Sequence, residues 1–134
     1  MKIHHGIDII EKSRIKKIYQ KYGIKFLKKI LTNDEISFFE KFKNKNNRKL
    51  ELLAGSFSAK ESFAKAVGYG FRNGLKFSHI EVIRKENKRP YFKISDYAKL
   101  LLKKKLIEYK NYDLSLSISH NHKTVISSVT ILFF

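Results

Sequence analysis

Apolar and polar positions change rhythm several times along the chain, and each change marks an element. Over Ile3–Ile10, Ile3, Ile7 and Ile9 share one face while Gly6 and Asp8 fall on the other, a period of two that predicts a strand. From about Lys12 to Tyr22 the period lengthens. Ile15, Ile18 and Tyr22 recur at helical spacing among basic residues, and Gly23 supplies the stop. Thr32-Asn33-Asp34-Glu35 sets a hydroxyl and a carboxylate three apart before Ile36, Phe38 and Phe39, the pattern of a capping box. A short helix is expected from near Asn33, dissolving in the polar stretch Lys43 to Asn47.

A longer helix is predicted from about Arg48 to Val67, ended by Gly68-Tyr69-Gly70. Strand-like runs follow at Ser78–Ile83 and Tyr91–Ile94, joined by the charged turn Lys85–Pro90. Ser95 is placed to cap a last helix through Tyr97, Leu100, Leu101 and Ile107. Two strands, Asp113–Ser119 and Thr124–Leu132, close the chain around the turn His120-Asn121-His122-Lys123. Mixed helices and strands, with the last two strands consecutive, predict an α+β fold. There is no internal repeat or linker, and 134 residues fit a single domain, 1–134.

Composition narrows the classes. The absence of cysteine excludes a disulfide framework, a thiolate metal site and a cysteine nucleophile, and fits a reducing, cytoplasmic setting. The first residues carry no signal-peptide pattern, and no run approaches the roughly 20 apolar residues needed to span a bilayer, so no membrane role is expected. Twenty-nine Lys and Arg against twelve Asp and Glu give a net charge of +17. Such a field attracts polyanions, with screening over about 8 Å at physiological salt. Heavy use of lysine and asparagine can account for part of the excess, and charge alone chooses no partner.

Three places interrupt the apolar pattern. On the Arg48–Val67 helix the stripe Leu50, Leu53, Ala54, Phe57, Ala64 and Val67 contains Glu61 about 40° from Phe57, with Lys60 and Lys65 on either side. An intrahelical Glu61–Lys65 pair is the plain explanation. Asp8 is a second anomaly, a carboxylate inside an apolar strand, with Gly6 on its face leaving room for a close approach. Mg²⁺ is held by one or two carboxylates completed by substrate phosphates and water, so Asp8 and Glu61 could be its ligands and Lys65 could take a phosphate oxygen. The third feature is Ser115-Leu116-Ser117-Ile118-Ser119-His120, where the histidine falls at the strand end, placed to meet phosphate or to be a solvated turn residue.

These residues carry a resemblance. Gly6-Ile7-Asp8-Ile9-Ile10 with Arg14, then Leu53-Ala54-Gly55-Ser56-Phe57-Ser58-Ala59-Lys60-Glu61-Ser62-Phe63-Ala64-Lys65-Ala66-Val67-Gly68, then Ser117-Ile118-Ser119-His120, resemble the three signature blocks of the holo-acyl-carrier-protein synthases, in the family order. The resemblance implies a phosphopantetheinyl-transferase domain, an antiparallel sheet packed with a long central helix. It implies transfer of 4′-phosphopantetheine from coenzyme A to a serine of acyl carrier protein, in support of fatty acid biosynthesis. Asp8 and Glu61 would then bind Mg²⁺, and Glu61 and Lys65 are the catalytic candidates, with the general base left open. Arg48, Lys49, Lys65 and His120 are the candidates for the coenzyme A phosphates. Arg14, Lys17 and Lys21, with Lys16, form a basic surface suited to an acidic carrier protein. A homotrimer with active sites between subunits is also implied. The chain departs from the family at Ser56, where an arginine is usual, and at Lys88-Arg89-Pro90, where Gly-Lys-Pro is usual. The alternatives are a nucleic-acid-binding module of ribosomal type, favoured by the charge, and a trimeric scaffold without activity.

Overall fold

The computed structural model describes residues 1–105 and 107–134. The chain opens with strand β1 (Lys2–Glu11) and runs straight into helix α1 (Lys12–Tyr22). Gly23, at φ 54°, closes α1 through its N–H on the carbonyl of Tyr19. A second helix, α2 (Ile24–Ile30), starts at the next residue, in a stretch the sequence pattern leaves unassigned. It buries Phe26, Leu27 and Ile30 and leaves its lysines in water, so burial of one face sustains seven residues that could not hold a helix alone.

Helix α3 (Asn33–Glu40) begins with the expected capping box. Glu35 N–H donates to Thr32 Oγ1 and Thr32 N–H donates to Glu35 Oε1. After the 41–45 turn comes the 22-residue helix α4 (Asn46–Val67), ended by Gly68 in the left-handed conformation at φ 93°. The predicted strand from Ser78 is divided. Phe77–His79 form a single 3₁₀ turn, with Lys76 N–H donating to His79 Nδ1, and strand β2 is Ile80–Ile83. It pairs with β3 (Tyr91–Ile94) in a two-stranded antiparallel ribbon. Ser95 caps helix α5 (Asp96–Lys103), its Oγ accepting from Ala98 N–H. That helix stops short of Ile107, which is 91% exposed, so its side chain gains no burial that would reward another turn. The expected extension also crosses Leu106, outside the described residues.

Strands β4 (Tyr112–His120) and β5 (Thr124–Phe133) form the closing hairpin, and β5 also pairs with β1, giving an antiparallel sheet of order β1-β5-β4. Helix α4 lies against β1 and β5 and is buried over nearly its whole circumference from Leu52 to Val67. One core cluster, around Phe63, Leu102, Val129 and Phe133, fills one side of it; another, around Ile15, Leu27, Phe39 and Leu53, fills the other. The architecture is α+β, a sheet packed on one long helix.

The face of β1 that meets α4 is that of Gly6, Asp8 and Ile10. Ile3, Ile7 and Ile9 point outward, 63%, 51% and 66% exposed. Gly6 explains the choice. A Cβ there would lie 2.0 Å from the carbonyl oxygen of Ser62 and 2.7 Å from the backbone nitrogen of Ala66. The close approach that glycine permits is that of α4 itself.

Candidate active site

Strand β1 presents Asp8 toward α4 because Gly6 and Ile10, two residues either side, share its face. Hydroxyls fix the contact. Ser58 Oγ donates to the backbone oxygen of Asp8 at 3.2 Å and lies 2.7 Å from Ser127 Oγ. Ser62 Oγ donates to the Ser127 carbonyl at 3.1 Å, and Ser127 is the register partner of Asp8 on β5. Three buried serines thus tie α4 to both strands beside the carboxylate.

On α4, Glu61 and Lys65 come to the same place. Lys65 Nζ donates to Asp8 Oδ1 and to the carbonyl of Ile7, both at 3.0 Å. Lys65 bridges helix to strand, and no Glu61–Lys65 ion pair forms within the helix. Burial, and then the negative charge of Asp8, raise the pKa of half-buried Glu61; Lys65 and Arg14 oppose the rise. Asp8, Glu61, Lys65 and Arg14 therefore act on one another, drawn from three elements. Two carboxylates held together at a partly open surface form an acceptor-only, hard-oxygen set that suits a divalent cation with open positions. Among the described residues no cluster of three or more His, Cys, Asp or Glu forms a complete metal cage.

Lys60, expected to flank Glu61, turns away. It is fully buried, with Nζ 2.5 Å from Glu35 Oε1 and 2.6 Å from the carbonyl of Ile30. Burial lowers its pKa and Glu35 counteracts the shift. Lys60 is a strut between α4 and the α2–α3 corner.

A cavity opens at the other end of α4, lined by Arg48, Glu51, Arg84, Lys85, Lys88 and His120 among others. Arg48 and His120 are brought together there on Glu51, their nitrogens 3.6 Å and 3.7 Å from its oxygens, with Lys12 Nζ at 3.4 Å. Lys49 is not brought there. One residue along the helix, it points toward α3, with Nζ 3.5 Å from Glu40 and over the Phe39 ring. Arg84 is a member of the cavity that sequence reasoning missed; one cation between a strand and the charged turn gave no signal of its own. It donates to Ser56 Oγ at 2.9 Å, so the position that departs from the family arginine carries a guanidinium brought from elsewhere. Arg14, Lys17 and Lys21 lie exposed along α1, adjoining the Asp8 site through Arg14.

A family model described as the 4′-phosphopantetheinyl transferase superfamily matches residues 5–124. The chain is 42% identical to the holo-[acyl-carrier-protein] synthase of Campylobacter hominis, over 92% of this chain and 93% of that one. It is 42% identical to the protein of the same name from Wigglesworthia glossinidia brevipalpis, over 84% and 80%. Among solved structures it is similar to a holo-(acyl-carrier-protein) synthase from Bacillus anthracis in complex with CoA (3′,5′-ADP), with a TM-score of 0.75 and 32% identity, covering 96% of this chain and 94% of that one.

Proposed function

The chain belongs to the 4′-phosphopantetheinyl transferase superfamily, and from that membership we propose that it moves 4′-phosphopantetheine from coenzyme A to a serine of apo-acyl carrier protein. The observation that carries the reading is the convergence of Asp8, Glu61 and Lys65 from β1 and α4, with a basic cavity at the opposite end of the same helix. In the reaction the serine oxygen attacks the β-phosphorus of coenzyme A. A new P–O bond forms, the P–O bond to the bridging oxygen breaks, 3′,5′-ADP leaves, and the serine proton passes to a base.

Asp8 and Glu61 fit as the protein ligands of Mg²⁺, two oxygen donors whose mutual repulsion a cation would relieve. When bound, Mg²⁺ supplies charge neutralisation to the pyrophosphate. Lys65 holds Asp8 in place and presents positive charge where the transferred phosphoryl group gathers negative charge. Arg48 and His120, which meet on Glu51 at the basic cavity, would receive the 3′-phosphate. Arg14, Lys17 and Lys21 line a surface for an acidic carrier protein, and the phosphates and the carrier together give the +17 charge its partners without nucleic acid. We further propose a cytoplasmic enzyme that assembles as a homotrimer with its sites between subunits.

Incubation with apo-acyl carrier protein, coenzyme A and Mg²⁺, followed by mass spectrometry of the carrier, is the test. The carrier gains one phosphopantetheine with the parent protein, and Asp8→Asn or Glu61→Gln slows the gain at least a hundredfold while each variant keeps the parent's circular dichroism. A carrier left unmodified by the parent, or variants as fast as the parent, would defeat the reading.

A further inference from the structure

Arg84 follows β2 directly and reaches back across α4. Its Nη1 donates to Ser56 Oγ at 2.9 Å and its Nη2 to the carbonyl of Leu52 at 3.4 Å. The room comes from Gly55: a Cβ on that residue would lie 2.8 Å from Arg84 Nη2. A glycine inside a helix costs about 1 kcal/mol relative to alanine, so the guanidinium sits in a notch that the helix maintains against its own propensity.

Glu35 acts on this charge only at a distance. Among the described residues Arg84 makes no ion pair with a carboxylate. Burial lowers its pKa to about 10, so it remains a cation at neutral pH. The two bonds to α4 use two of five N–H donors, and the guanidinium is partly exposed where it lines the cavity with Arg48, Lys85, Lys88 and His120. The one carboxylate in that lining, Glu51, is already shared by Lys12, Arg48 and His120. A half-buried, tethered guanidinium with open donors, facing further cations, is built to receive a doubly charged oxyanion.

We infer that Arg84 is the fixed anchor for the phosphomonoester of the donor, the 3′-phosphate of coenzyme A, and that it makes this protein select nucleotides carrying that group. The inference rests on the proposed transferase reading. Arg48, Lys85 and Lys88 contribute long-range attraction from flexible, exposed side chains. Arg84 contributes direction, because Ser56 and Leu52 hold its plane.

Calorimetric titration of the purified protein with 3′,5′-ADP and with 5′-AMP tests it. The parent binds 3′,5′-ADP at least tenfold more tightly than 5′-AMP, and Arg84→Gln removes that preference while leaving the affinity for 5′-AMP within about twofold. Gly55→Ala serves as a second variant that retains Arg84. It favours the helix yet pushes the guanidinium out of its notch, and it too lowers the preference. If the parent binds neither nucleotide, the transferase reading itself fails. If the parent shows the preference and both variants keep it, Arg84 is not the anchor. Equal loss of both nucleotides in folded variants would also overturn the assignment, since it would mean that the cavity as a whole had collapsed.

Discussion

Lys60 and Glu61 are adjacent in sequence and about 100° apart around α4, and that rotation sends them into opposite environments. Glu61 stays half-buried beside Asp8, whereas Lys60 is sealed among Glu35, the Ile30 carbonyl and apolar neighbours. Breaking a buried pair from one side strands the other charge, typically at about 3–5 kcal/mol. Glu35 Oε2 already lacks a partner, so the carboxylate has no reserve. Lys60→Met should therefore lose stability on the order of 3 kcal/mol in urea unfolding at fixed protein concentration. Adding Glu35→Gln, which keeps the cap on Thr32, should return part of that loss. A methionine variant as stable as the parent would show that the pair is dispensable. From the sequence, Lys60, Glu61 and Lys65 read as one charged group at the edge of an apolar stripe. The stripe itself misleads, because α4 is buried nearly all round, and a one-sided pattern cannot tell which of two flanking cations is enclosed.

At the scale of elements, the contact of β1 with α4 decides where the site forms. Gly6 lets the helix backbone within touching distance, Ser58 and Ser62 bond across the gap, and Asp8, two residues beyond Gly6, is delivered to Glu61 and Lys65. Gly6→Ala would place its Cβ against the Ser62 carbonyl, an immobile backbone atom, so strand and helix must separate. Overpacking of this kind costs about 1–3 kcal/mol. The variant should melt several degrees below the parent and lose transfer activity even where it is fully folded, because Asp8 is displaced. An unchanged melting temperature would mean that the strand can slide at no cost. Most elements were legible because they carry local signals: the Thr32–Glu35 box, the Ser95 cap, Gly23 and Gly68, the period-two alternation of β1 and β4. What was not legible depends on tertiary burial. Helix α2 has no cap of its own beyond Gly23, and Arg84 reaches the basic cavity only because β2 ends against α4. Asp8, Glu61 and Lys65 could be read because they break patterns; Lys49 followed Arg48 onto the candidate list by adjacency alone, and one helical step separates them.

At the scale of the molecule, the isoleucine-rich face of β1 is the one that α4 leaves uncovered. Ile3, Ile7 and Ile9 stand outward on the strand at one edge of the three-stranded sheet, and Ile126, the register partner of Ile9, extends their surface onto β5. A contiguous exposed apolar surface of this kind marks an association site. Its position bears on the chemistry, since Ile7 and Ile9 flank Asp8 and the Ile7 carbonyl accepts from Lys65. A subunit seated on these isoleucines would cover the strand that carries the metal ligand, which is how the proposed homotrimer would place its sites between chains. Ile7→Asp together with Ile9→Asp should then convert a trimer to a monomer in sedimentation, because two carboxylates on the outward face cannot be buried against another subunit without partners. The two substitutions lie on the face away from α4, so circular dichroism should still report a folded chain, and any loss of transfer activity would come from lost assembly. In the parent, activity per chain should fall on dilution across the concentration at which sedimentation shows dissociation. A parent that sediments as a monomer, or a monomeric variant with full activity, would show that each subunit carries a complete site on its own.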